Sequence, residues 1–282
     1  MIQKKLKEEI KILRAGGKIL ASILDTLIKE VKPGKTTGEL EDMAIKLISE
    51  ARGEPSFKGH VMHDSRIFPT ALCVSINSEI VHAPSLPSRE LKSGDIVSID
   101  LGMKYPVGKG EKSYFTPQKK DFSSVNRGQN FAGFTDISKT LGVGEISEQA
   151  SKLIKVTKES LELAIKQVRP GNALDNIGAT IQKFVEANGF SVVRELVGHG
   201  VGYDVHEEPQ VPNFVDAGKS KEKVILEEGI VIAIEPMVNV GGWKVKTGAD
   251  GFTVVTEDNS LSAHFEHSVA VVEGGCEVLT RS

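Results

Sequence analysis

One plan is written twice in this chain, and that repetition limits what it can fold into. Leu226-Glu-Glu-Gly-Ile-Val-Ile-Ala-Ile-Glu-Pro-Met237 is a short buried-type run that ends on Glu235 and then Pro236. β-Branched residues bounded by Gly and Pro predict an interior strand. A carboxylate at the end of such a strand meets the core uncompensated unless something pairs it. Leu91-Lys-Ser-Gly-Asp-Ile-Val-Ser-Ile-Asp-Leu101 has the same shape, with Asp100 closing the strand in the place of Glu235.

The echo reaches further back. Lys32-Pro-Gly34 precedes Thr36 and Glu39, a capping box, and then Leu40, Ala44, Leu47 and Ile48 at helical spacing. Arg169-Pro-Gly171 precedes Asn172, read as the matching cap, and then Leu174, Ile177, Ile181 and Val185. Longer amphipathic stretches, 4–31 and 147–168, lie before each turn. The two copies stand roughly 135 residues apart, too far for a solenoid and suited to a duplicated half-domain. Halves about a pseudo-twofold would bring Asp100 and Glu235 together at the axis, and two acids in one place need a cation.

With 282 residues the chain can form one large unit or two small ones, and a shared site favours a single domain over 1–282 with halves of about 1–130 and 131–282. The net charge of −3 gives no argument for nucleic acid or membrane as a partner. The basic start continues as an amphipathic helix and does not read as a signal peptide, and no run is apolar enough to span a bilayer. Two cysteines, Cys73 and Cys276, suit a reducing cytoplasm.

Between the landmarks, the spacing predicts a strand over 72–76, a turn at Asn77-Ser78 into Ile80-Val81-His82, and strands around 191–196. Residues 203–216 read as a polar, Pro-marked connection. Residues 252–257 and 264–272 read as strands paired with each other across a turn. Residues 104–130 have the Lys, Gly, Ser, Pro and Gln texture of an inserted loop, with a hairpin near Tyr114 and Phe115.

Asp100, Asp136, His199, Glu235 and Glu266 all fall in or beside strand-like runs, where a solvated residue has no reason to be. Any one alone is a surface charge or a satisfied ion pair more often than a ligand. Four carboxylates cannot share a dry site unless protonated or neutralised, and two divalent ions would balance them. Oxygen-rich ligation with one imidazole suits Mn, Fe(II), Co or Zn.

The motifs Val197-Gly-His-Gly-Val-Gly202, His206-Glu-Glu-Pro-Gln-Val211, Ile234-Glu-Pro-Met-Val-Asn239 and His264-Phe-Glu-His267 resemble those of type I methionine aminopeptidases. So do Gly94-Asp-Ile-Val-Ser-Ile-Asp100 and Phe134-Thr-Asp-Ile137, in the family's order and across nearly the whole chain. The resemblance implies the α/β pita-bread fold, in which helices cover a curved antiparallel sheet built from duplicated halves. It implies a dinuclear-metal enzyme that removes the first methionine from peptides and nascent proteins with a small second residue.

By the same resemblance, Asp136 and Glu266 bridge two metals, Asp100 completes one, and His199 and Glu235 complete the other. Glu235 is the general base, while His82 and His206 act on the substrate. Phe68, Cys73 and Phe252 line the methionine pocket, with Phe57 and Val205 less surely placed. A nascent-chain terminus as substrate, the ribosome as a partner, and a monomer belong to the same expectation.

Two departures stand out. The family's two Asp ligands lie close across a tight hairpin, whereas 104–130 intervenes here, and Glu111 falls nearer the usual spacing. Asp136 is preferred because its flanking residues carry the family pattern. Residues 60–67 form a second excursion, where the family shapes its pocket. The competing readings are an Xaa-Pro aminopeptidase or prolidase-like peptidase, which usually carries an extra N-terminal domain where this chain has one helix, and a non-catalytic binding protein of the same fold. Intact ligand positions count against the last.

Overall fold

The computed structural model describes residues 2–62, 65–107, 131–215 and 223–282. Glu111, most of the 104–130 insertion with its Tyr114–Phe115 hairpin, and the tip of the 60–67 excursion therefore lie outside the described residues. Four helices are present among the described residues: α1 (Lys7–Glu30), α2 (Thr37–Glu50), α3 (Glu148–Ile165) and α4 (Asp175–Ala187). None is long and apolar enough to cross a membrane.

The repeat read from the sequence is a repeat of hydrogen bonds. Gly34 and Gly171 both sit at φ +87, a conformation that costs glycine no Cβ clash. Gly34 N–H donates to Leu91 O and Gly171 N–H to Leu226 O, each at 2.9 Å. Leu91 N–H returns to Lys35 O, and Leu226 N–H to Asn172 O. Gly94 and Gly229, at the start of each acid-bearing strand, donate to Val143 O and Val271 O. Each K/R-P-G turn is thus tied to the turn that opens its own acid-bearing strand.

Local sequence also explains the helices. The α2 capping box forms as expected: Thr36 Oγ1 accepts the Glu39 N–H, and Glu39 accepts the Thr36 N–H at 2.9 Å. Ser147 caps α3 through the Ala150 N–H at 3.1 Å. Asn172 does not cap α4. Its backbone is used by Leu226 and its amide donates to Gln167 O at 2.8 Å, so the helix starts later, after Leu174.

The main sheet is antiparallel and, among the described residues, nine-stranded. At its centre Ile96–Tyr105 pairs with Gly133–Gly142 over their full length, and Gly133–Gly142 with Glu266–Val272. Glu266–Val272 pairs in turn with Val231–Ile234, and Gly200 pairs with Ile232. Alternation sorts the faces of these strands. Val97, Ile99, Leu101, Met103 and Ile137 are fully buried under α1 and α2, in one core cluster. A second cluster joins α3 and α4 to Ile232, Ile234, Val269 and Val271. Each such side chain contributes about 1.5–3 kcal/mol by leaving water. The opposite face of the central strands carries Ser98, Asp100, Asp136, Ser138, Thr140 and Glu266.

Several sequence expectations are corrected. Asp100 does not close a strand; Ile96–Tyr105 runs on past it, because Gly133–Gly142 offers ten residues of partner. The connection 203–216 contains a strand, Glu207–Val211, paired with Gly198–Gly200. The strand predicted over 191–196 is only Ser191–Val192. Val254–Thr256 does not pair with the Glu266 strand. It pairs with Val245–Thr247 and with Glu79–Val81, while Ser262–His264 pairs with Met237–Asn239. By its pairing, Gly133–Gly142 goes with the first helix pair although it follows residue 130.

Candidate metal centre

Five neighbouring strands deliver the five side chains to one place. Asp100 faces Ser138 across one strand pair, and Glu266 faces the same Ser138 across the next. Asp136 lies two residues earlier on that middle strand, so all three carboxyls project from one face. Asp136, His199 and Glu266 each offer a ligand atom, and these atoms lie within 4.8 Å of one another. His199 Nε2 is 3.5 Å from Glu235 Oε1 and 3.9 Å from Glu266 Oε1. Asp100 and Asp136 share a side-chain hydrogen bond.

The strand Gly198–Gly200 fits tightly between neighbours; a Cβ on Gly200 would lie 2.2 Å from Glu208 O. His199 Nδ1 is 3.0 Å from Gly200 O. A carbonyl only accepts, so Nδ1 carries the hydrogen and Nε2 presents its lone pair to the carboxylates. Glu235 follows Ile234 directly, and its backbone carbonyl accepts the Asn213 amide at 2.9 Å.

Electrostatics mark the cluster as incomplete without positive charge. Burial first, and then the neighbouring carboxylates, push Asp100, Glu235 and Glu266 well above the carboxylate range. Burial raises Asp136 to about 7. Burial also lowers His199 to about 4, so this imidazole stays neutral. Asp100 Oδ1 and Glu266 Oε1 are buried without a hydrogen-bond partner. Orphaned acceptors, a neutral imidazole and mutually repelling carboxyls are the donor set a hard divalent cation takes.

A testable consequence concerns the metal-free protein. Between pH 3.8 and about 7 the native Asp136 binds more protons than the unfolded chain, so its contribution to stability falls as pH rises. Buried histidines act the other way: His82 and His199 at about 4 and His264 at about 3 cost stability as pH falls below 6.5. Above 6.5 only the carboxylates remain. Metal-free protein is expected to lose urea-midpoint stability between pH 6.5 and about 8, and to regain it on adding a divalent ion. A midpoint that rises over that interval without metal would contradict this account.

The remaining predicted residues gather around the cluster. His206 is exposed on the turn before Glu207–Val211, with its ring 4.4 Å from that of His199. His82 sits at φ +57, and its backbone N–H reaches the Cys73 thiol. Burial, and then the Asp100 and Asp136 charges, push that thiol up. Phe57, Phe68, Cys73 and Val205 form one small buried cluster, with Met62, Phe134 and Phe252 packed against it. Phe68 meets Phe57 and Phe252 edge-on, at 6.4 and 5.7 Å between centroids.

Sequence reasoning gave no role to His264, yet its Nε2 lies 3.5 Å from Glu235 Oε2. Its backbone is pinned through Thr140 Oγ1, which accepts the His264 N–H and donates to its carbonyl. His60, at the start of the 60–67 excursion, stands with its ring 5.4 Å from that of His206. The signal for His264 was its place in the His264-Phe-Glu-His267 motif.

Comparison with known proteins finds relatives along nearly the whole chain. The sequence profile of metallopeptidase family M24 matches residues 11–116 and 116–273. A methionine aminopeptidase of Clostridium perfringens is 45% identical over 282 residues, covering 99% of each chain. Methionine aminopeptidase 1 of Bacillus subtilis is 42% identical, covering 100% of each. The crystal structure of methionine aminopeptidase from Thermotoga maritima superposes with a TM-score of 0.84 at 38% identity, covering 100% of each.

Proposed function

Since this chain belongs to metallopeptidase family M24, among its type I methionine aminopeptidases with the pita-bread fold, we propose that it removes the first methionine of peptides and nascent proteins with a small second residue, at two divalent ions. The observation that carries this reading is the convergence of four carboxyls and one neutral imidazole from adjacent strands. Asp100, Asp136, His199, Glu235 and Glu266 are the residues that would hold these ions. Mn, Fe(II), Co or Zn would suit this donor set. When bound, the ions would supply Lewis-acid polarisation of the scissile carbonyl and lower the pKa of water.

The chain's own residues do the rest. Glu235 takes the proton from the attacking water and later passes it to the leaving amine. His206 donates a hydrogen bond to the oxyanion of the tetrahedral intermediate. His82 meets the backbone of the second residue and assists departure of the amide. Phe68, Cys73 and Phe252, with Phe57 and Val205, offer the methionine side chain an apolar, polarisable slot. A substrate backbone held at these ligands would leave little room beside it, which would favour a small second residue.

The test is a metal-reconstituted assay of the full-length protein on Met-Ala-Ser and Ala-Pro-Ala. Cleavage of Met-Ala-Ser alone, lost on chelation and restored by adding one of the four metals, is the expected result. Cleavage of Ala-Pro-Ala in preference would move the protein to the prolidase-like reading. Absence of bound metal under all four conditions would refute the metal assignment.

A further inference from the structure

His206 is exposed, its ring stands 4.4 Å from that of His199 and 5.4 Å from that of His60, and its reach toward them depends on the backbone that carries it. That backbone, residues 202–207, is fastened by the start of the chain. Lys5 Nζ lies 2.6 Å from Glu207 Oε1, and the two side chains are only 1% and 6% exposed. The same Glu207 oxygen accepts the Tyr203 backbone N–H at 3.1 Å, which closes the turn around His206. The Lys5 ammonium also stands 4.8 Å from the centre of the Tyr203 ring, and the Tyr203 hydroxyl donates to the buried Glu9 at 2.6 Å.

Lys5 is itself fixed. Its backbone N–H donates to Gly229 O at 2.7 Å, in the turn that opens the Glu235 strand. Its stem runs against Gly202, where a Cβ would lie 2.5 Å from Lys5 Cε. A buried ion pair contributes little net stability compared with apolar packing of the same volume, and its better-attested use is to select one geometry. The pair links the turn bearing His206 to the turn that leads into Glu235, the two elements that must keep their spacing during the reaction.

We propose that the buried Lys5–Glu207 pair is a positioning device for His206, holding the turn 202–207 so that the imidazole meets the oxyanion. The inference rests on the role given to His206 above. Lys5 and Glu207 touch no substrate; they act through the turn. Such a device works on the transition state, where a small misplacement of a hydrogen-bond donor is felt most.

The experiment is a mutant cycle on the metal-loaded, full-length enzyme with Met-Ala-Ser as substrate. His206→Ala should lower kcat by about 10²- to 10³-fold. The paired change Lys5→Met with Glu207→Gln, which leaves no unpaired buried charge, should lower kcat by about 10- to 100-fold with KM moved less than about twofold. In the His206→Ala background the same pair of changes should add nothing, because the route through His206 is already gone. Lys5→Arg should restore most of the wild-type kcat. If the paired variant does not fold, Lys5→Gln with Glu207→Gln, which keeps two neutral amides in place of the ion pair, replaces it, with the same loss expected and the same disappearance of that loss in the His206→Ala background.

Losses that multiply independently of His206→Ala, or no loss at all, would overturn the positioning role while leaving His206 in place. Unchanged kcat in His206→Ala would instead overturn the role of His206 and the device together.

Discussion

Glu235→Gln is expected to lower kcat on Met-Ala-Ser by about 10³-fold or more, combining a lost general base with a weakened ligand. The carboxyl lies between two imidazoles, with Oε1 3.5 Å from His199 Nε2 and Oε2 3.5 Å from His264 Nε2. Glutamine keeps the shape and cannot take the proton. The fold should survive, since the strand Val231–Ile234 and the Asn213 bond to the Glu235 carbonyl do not use the side chain. Removing one of four crowded carboxyls should even raise the thermal midpoint of the metal-free variant above that of the metal-free parent. Steady-state kinetics and calorimetry on both forms read these two effects. Turnover within tenfold of the parent would end the assignment of Glu235 as base.

Asp136→Ala carries the second large effect. Asp136 is buried, pairs its strand with that of Asp100 through Gly102, and has its ligand atom within 4.8 Å of those of His199 and Glu266. If Asp136 is a ligand as proposed, its loss should remove tight binding of at least one ion and lower kcat/KM by about 10³-fold or more. Glu111→Ala is the matched control, expected within about twofold of the parent, as for a change at a residue outside any named mechanism. Metal content of the purified variants, measured beside activity, separates a ligand defect from a folding defect. Inactivity and metal loss in Glu111→Ala, with Asp136→Ala unaffected, would reverse the choice between them.

Much of the site was legible because its signals are local. Glu235 announces itself as a charge at the end of an apolar run before Pro236, and Thr36 with Glu39 as a capping box. Phe57, Phe68, Cys73, Val205 and Phe252, expected to line a pocket, come from four separate stretches and pack as one apolar cluster. Their grouping came from family resemblance; no spacing in the sequence links them. His264 was hidden because a histidine in a short strand is more often structural, and its relation to Glu235 exists only through the pairing of Met237 with His264.

Periodicity, glycine turns and caps are properties of neighbouring residues, so the chain alone determined the repeated plan, its helices and the acids carried on its strand-like runs. It did not determine which strand pairs with which. Alternation specifies the face a side chain takes but is silent on the neighbour, so Val254–Thr256 found Glu79–Val81 rather than the Glu266 strand. The same holds for Asp100, carried mid-strand by a partner more than thirty residues on, and for Lys5, buried against Glu207 from the far end of the chain. Those pairings are settled by long-range packing and by the pairing of buried backbone N–H and C=O groups across strands, which exists only in the folded chain.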